Sequence, residues 1–141
     1  MTGLRWDAWR CGGTLRIDRS LRLRTRVMFQ SRGTLVVGRN VVLGDREAGR
    51  PRAPIVLAPR DHAEIVIGAR TRLTNGVEMT ALERIETGTD CLIGSDTRIM
   101  DSDFHGIDPR ARHSPGHSSP VILGDNVWIG VAAIKIGRAH V

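Results

Sequence analysis

Aliphatic residues recur along this chain at a spacing of six. Ile17, Leu23 and Phe29 keep it, then Val37 and Leu43, then Ile67, Leu73 and Met79, then Thr87, Ile93 and Ile99, and then Leu123 and Ile129. Four positions after many of these comes a second small or aliphatic residue, at Leu21, Val27, Val41, Thr71, Val77, Cys91, Thr97, Val127 and Ala133. A glycine often follows the first beat directly, as at Gly38, Gly68, Gly88 and Gly124. No helix of 3.6 residues per turn holds that register. Six is a multiple of the strand period of two, so every first beat points to the same side, and glycine permits a tight corner without a side-chain clash. Three hexapeptides make one triangular coil of about 18 residues, and stacked coils bury a shared aliphatic column. The predicted fold is all-β, a parallel β-helix of hexapeptide repeats. The beats from 67 and from 87 start 20 residues apart, as do those from 17 and 37, so a coil carries two extra residues at one corner.

Two segments break the count. "DREAGRPRAP", residues 45–54, is polar and rich in Arg and Pro and reads as an exposed loop. The second is longer: 24 positions separate Ile99 from Leu123, with no clean beat from Asp101 to Pro120. That segment reads as a projecting loop holding three of the five histidines, His105, His113 and His117. Long loops on a compact repeat carry function more often than the coils beneath them. After Ile129 the next beat falls on Lys135; "IGRAHV" then starts one position late and puts His140 where a small residue belongs. The same string reads as the translation of a common sequencing adapter. The expected layout is an N-terminal cap segment at 1–16, a β-helix at 17–134 with loops at 45–54 and 101–120, and a non-native tail at 135–141, the native chain continuing past Ile134.

Composition narrows the class. At 141 residues the chain is one domain, with only 4% aromatic residues and no tyrosine, so the core is aliphatic. The net charge of +6 comes almost wholly from arginine. Because Arg16, Arg19, Arg22, Arg24 and Arg26 interleave with apolar residues, they suit the solvent face of a repetitive sheet, and no nucleic-acid partner is expected. Cys11 and Cys91 make neither a CxxC pair nor a disulfide framework. The N-terminus lacks the apolar run of a signal peptide, and no stretch reaches transmembrane length. The expectation is a soluble, cytoplasmic protein with no membrane insertion.

Two stretches carry a resemblance. "DSDFHGIDP", residues 101–109, and "LGDNVWIG", residues 123–130, resemble the hexapeptide-repeat acyltransferases, especially the small sugar O-acetyltransferases, over roughly residues 33–134. The resemblance implies a left-handed β-helix, a homotrimer with active sites between subunits, acetyl-CoA as acyl donor and a sugar or polysaccharide precursor as acceptor. It implies His105 as catalytic base, Trp128 and Gly130 in the coil beside the coenzyme A channel, and Asn75 of "LTNGV" at the acceptor site.

The residues support that chemistry independently. Acyl transfer to a hydroxyl needs a base, and an imidazole with a pKa near about 6.5 is largely neutral at pH 7. A base needs an orienting partner for its other nitrogen. Asp101 and Asp103 are the nearest carboxylates in sequence, and Asp103 is taken as a candidate for that role, against the alternative of a local turn hydrogen bond. Backbone N–H groups at glycine-rich corners are candidate oxyanion donors. Two rival readings stand beside this one. His105, His113 and His117 together suggest a zinc site of the carbonic-anhydrase-like kind that the hexapeptide fold also carries. The arginines suggest a non-catalytic, anion-binding assembly module. Cys91 sits at a small-residue beat and reads as a buried structural thiol, and Ser102 lacks a G-x-S-x-G context.

Overall fold

The computed structural model describes residues 5–6, 12–30, 32–45, 53–137 and 139–140. Cys11, most of the 45–54 loop and much of the 1–16 segment lie outside them. The described chain is all-β, and its strands form three parallel sheets that it visits in strict rotation. One sheet is built from β1 (Arg5–Trp6), β4 (Val27–Phe29), β7 (Ile55–Pro59), β10 (Glu78–Ala81), β13 (Arg98–Met100) and β16 (Ile134–Ile136). The second holds β2 (Thr14–Ile17), β5 (Thr34–Val37), β8 (Glu64–Ile67), β11 (Arg84–Thr87), β14 (Val121–Leu123) and β17 (Ala139–His140). The third holds β3 (Arg22–Leu23), β6 (Val42–Leu43), β9 (Arg72–Leu73), β12 (Leu92–Ile93) and β15 (Trp128–Ile129). Such a rotation is the arrangement of a parallel β-helix, in which no strand pairs with its sequence neighbour.

The sixfold beat becomes three interior columns. Val37, Ile67, Thr87 and Leu123 stack in the second sheet, Leu43, Leu73 and Ile93 in the third, and Phe29, Leu57, Met79 and Ile99 in the first. All of these are buried. Each aliphatic side chain taken out of water in this way contributes about 1.5–3 kcal/mol.

The corner glycines have a reason that the sequence only half discloses. Gly38, Gly68 and Gly88 do not adopt a positive φ; the left-handed residues at that corner are Asn40, Arg70, Asp90 and Asn126, at φ of 55°, 57°, 58° and 57°. Asn and Asp reach that region more easily than most residues, through local hydrogen bonding by a short polar side chain. The glycines serve close approach instead. A Cβ on Gly68 would lie 2.1 Å from the carbonyl oxygen of Gly88 in the next coil.

The last coil keeps the ladder but reverses its chemistry. β16 pairs with β13 so that Lys135 stands opposite Ile99, on the interior column, while Ile134 and Ile136 point outward and are 67% and 50% exposed. β17 pairs Ala139 with Val121 and His140 with Ile122.

Candidate functional site

The corner between the first and second sheets shows how the 101–120 segment is held. There the backbone N–H groups donate to carbonyls of the next coil: Gly33 and Thr34 to Pro59 and Ala63, and Arg60 and Glu64 to Ala81 and Glu83. The corner at Leu82–Arg84 should donate to the coil after it, but there the chain leaves the stack between β13 and β14. Asp101 supplies the missing acceptors. Its carboxylate, wholly buried, accepts from the backbone N–H of Leu82 at 2.8 Å, Glu83 at 2.7 Å and Arg84 at 2.7 Å. Anionic acceptors make the stronger class of hydrogen bond, and three such donors left unpaired would be costly to bury.

Beyond Asp101 the loop is an antiparallel hairpin. Ser119 N–H donates to the Asp101 carbonyl, Ser102 bridges Ser118, Asp103 N–H donates to the His117 carbonyl, and Gly106 N–H donates to that of Ser114. One register runs through all four pairs. The tip is a single 3₁₀ turn, Pro109–Ala111, capped by Asp108, whose carboxyl is held below the usual carboxylate range by hydrogen bonds from the Arg110 side chain and backbone. The Asp-Pro pair that opens it is a turn signal readable in the sequence.

His105 sits on this hairpin under two local constraints. Phe104, directly before it, has φ of +61°, and its N–H donates to Ser102 Oγ at 3.0 Å. Gly116, across from Phe104, has no room for a side chain: a Cβ there would lie 2.7 Å from both the N and the O of His105. A non-glycine residue in the left-handed region costs about 1–2 kcal/mol, and such residues cluster at functional sites. The consequence is directional. In a regular strand, residues 101, 103 and 105 face one way; the kink at Phe104 breaks that alternation, and the His105 ring is exposed, with Nδ1 3.3 Å from the Gly106 carbonyl. A proton on Nδ1 directed at that carbonyl leaves Nε2 as the free base.

Asp103 takes a different position from the one its sequence proximity suggests. Among the described residues no hydrogen bond joins it to His105. It lines a cleft with Asp101, His117, Ser119, Ile107 and Ile136. His113 is exposed near the tip, and the described residues contain no group of three His, Cys, Asp or Glu side chains placed to hold a metal ion.

Asn75 is 3% exposed, and both ends of its amide are occupied: Oδ1 accepts from Asp45 N–H at 3.0 Å and Nδ2 donates to the Asp45 carbonyl at 2.9 Å. It therefore pins the first residue of the 45–54 segment, and any acceptor contact would have to displace those bonds. Trp128 lies on the outward row of the third sheet, following Arg22, Val42, Arg72 and Leu92, and is 76% exposed beside Leu92 at 38%. Gly130 accepts a hydrogen bond from Thr97 Oγ1, and its backbone is close enough to Gly94 that a Cβ on the latter would come within 2.6 Å of it. Cys91 is buried, with Sγ directed at the Gly124 carbonyl, and the Ser102 hydroxyl is committed to Phe104.

The spacing of "DSDFH" and "PGHSS" carries the hairpin once the two are aligned about the Asp-Pro turn. The sequence reading missed the cross-strand place of His117, the role of Gly116 and the carboxylate duty of Asp101 because it treated the segment as irregular. Comparison with family models, with curated proteins and with solved structures gives no match.

Proposed function

We propose that this chain is a coenzyme A-dependent O-acetyltransferase with His105 as general base. The observation that carries the reading is the presentation of His105 on a closed hairpin, its ring turned outward by the Phe104 kink and its Nδ1 facing the Gly106 carbonyl. In this reading Nε2 removes the proton of an acceptor hydroxyl as the oxygen attacks the thioester carbonyl of acetyl-CoA. The tetrahedral oxyanion collapses with cleavage of the C–S bond, and the imidazolium returns its proton to the departing thiolate, giving an acetyl ester and free coenzyme A. The exposed row of Leu92 and Trp128 is the donor side, Gly130 leaves backbone open next to it, and the scaffold is a left-handed β-helix acting as a homotrimer in the cytoplasm. The zinc reading receives no support from the placement of His105, His113 and His117.

The test is thiol release from acetyl-CoA by the purified protein in the presence of a panel of simple pyranosides. His105→Ala should lower kcat by about 10²- to 10⁴-fold, the usual contribution of a positioned base. Turnover undiminished in that variant would remove His105 from the mechanism.

A further inference from the structure

We infer that the N-terminal end of the β-helix is a docking surface for an anionic lipid bilayer, held there by a girdle of unpaired arginines. Charge is divided unevenly along the chain. Residues 1–44 hold nine arginines against two acidic residues, whereas residues 53–134 hold seven arginines against eleven. Stacking sharpens the contrast, because outward residues on adjacent rungs stand only about 4.8 Å apart across the ladder. Farther along the β-helix an outward arginine finds a carboxylate one coil away: Arg84 pairs with Glu64, Arg98 with Glu78 and Arg70 with Asp90. At the N-terminal end it does not. The rung neighbour of Arg16 is Val36, that of Arg22 is Val42, and Arg19 has Arg39 at the same corner one coil on, where Asn40 N–H donates to Ser20 Oγ. Among the described residues none of these four arginines makes an ion pair. Asp18 is the one acidic residue in the stretch 12–44, and its Oδ1 already accepts from the N–H and the hydroxyl of Ser20. Cations packed at this density repel one another, and an external anionic surface relieves the repulsion.

The arrangement of the arginines selects the partner. Arg16 stands on the second sheet, Arg22 on the third and Arg19 at the corner between them; Arg24 and Arg26 hold the next corner and Arg32 the last. All are exposed except the half-buried Arg24. They encircle the axis of the β-helix and form no stripe along one side. A nucleic-acid duplex lying against any side would meet only a fraction of them. A bilayer is wider than the molecule, so a β-helix standing on this end brings the whole girdle within reach of the headgroups, the long side chains bending toward the plane. The guanidinium fork also matches lipid phosphates bidentately. Attachment of this kind is peripheral and electrostatic, with no segment entering the hydrocarbon. In that pose the 101–120 hairpin, which leaves the stack before β14, stands four rungs beyond β2, roughly 19 Å farther from the lipid. The docking surface does not depend on the acetyl-transfer reading.

The test is flotation of the purified chain with vesicles of phosphatidylcholine alone and of phosphatidylcholine containing phosphatidylglycerol. Each basic residue near an anionic leaflet contributes about fivefold to partitioning. With three or more engaged, the anionic vesicles should bind about 100-fold more strongly than the neutral ones, and the advantage should fade as salt shortens the screening length below about 10 Å. Arg16→Gln, Arg22→Gln and Arg26→Gln combined should abolish that advantage, while lysine at the same three positions should keep it within about threefold, since the charge is retained. Arg98→Gln, which removes a paired arginine far from the girdle, should change partitioning less than about twofold. If the triple glutamine variant melts lower than the parent, Arg16→Gln and Arg22→Gln singly, at about fivefold each, give the same reading. Equal binding to neutral vesicles, anionic binding that survives the glutamine changes, or an equal loss in Arg98→Gln would overturn the inference. A DNA duplex or polyuridylate that strips the protein from anionic vesicles would reassign the girdle to nucleic acid. Inorganic phosphate that does so better than chloride of the same ionic strength would reduce it to a site for the free anion.

Discussion

Replacing Asp101 by alanine should be among the most damaging single changes in this molecule, although the residue is not itself a member of the aliphatic core columns. The carboxylate receives three backbone N–H groups at 2.7–2.8 Å, and the donors belong to a corner whose acceptors in the following coil are missing. Hydrogen bonds to charged groups contribute about 1.5–3 kcal/mol each, and a buried donor left unpaired costs about 1–3 kcal/mol. Water entering the vacated space recovers part of that, so Asp101→Ala should lose about 3–5 kcal/mol, a large share of the roughly 5–15 kcal/mol that holds a domain together. With a urea m-value of about 2 kcal/mol/M, the midpoint falls by about 2 M. Asp101→Asn gives a graded control. Its remaining carbonyl can occupy the Oδ2 position and keep Glu83 and Arg84, but its NH₂ then faces the Leu82 N–H, so about half the loss is expected. Equilibrium urea unfolding followed by circular dichroism gives the totals, and amide exchange at Leu82, Glu83 and Arg84 gives the location. A stability within 1 kcal/mol of the parent, with those three amides still slow, would show that the carboxylate does not close the ladder.

Other outcomes follow from the same geometry. Lys135→Ile puts an aliphatic residue on the column of Ile99 and should raise stability by about 1–2 kcal/mol, read from the thermal midpoint; a fall would mean that the lysine does not occupy that column. Gly116→Ala forces a methyl against the backbone of His105, so the His105 ring protons should shift in NMR and the acetyl transfer proposed above should drop at least tenfold, with the β-helix melt unchanged. The Asp90 carboxyl is held below its usual range, chiefly by hydrogen bonds from Arg70. Its contribution is therefore fully present above the unfolded value of about 3.9 and is lost as pH falls through the lower folded value, and Arg70→Ala should flatten that acid limb of a stability profile.

The scaffold was legible because each beat at Ile67, Leu73 or Met79 is a local statement repeated at a constant interval, and parallel stacking turns a one-dimensional period into a column. The corner was harder to read. Gly68 suggests a dihedral requirement, whereas its neighbour Arg70 takes the left-handed conformation and Gly68 answers a contact with Gly88, twenty residues later in the chain. Contacts of that kind leave no trace in a window of ten residues. The candidate site was legible only in part, for the same reason. His105 stood out by its motif, but the face it points to depends on the φ of Phe104, and the partner of Asp103 depends on a hairpin register that brings in His117 from fourteen positions away. Asn75 shows a different gap: its polar amide was visible in the sequence, whereas its two hydrogen bonds to the backbone of Asp45, thirty positions away, were not.

Because one carboxylate completes the ladder where the chain departs, the loop beyond the buried Ser102 is relieved of structural duty toward the coils. Twenty residues hang from a single clasp. Such a junction makes the hairpin exchangeable: a segment of different length or specificity can be spliced between Met100 and Val121 while Asp101 is kept, and the coils beneath need not adjust. A scaffold closed in this way can change what its loop presents by replacing one cassette, without a round of compensating changes in its core.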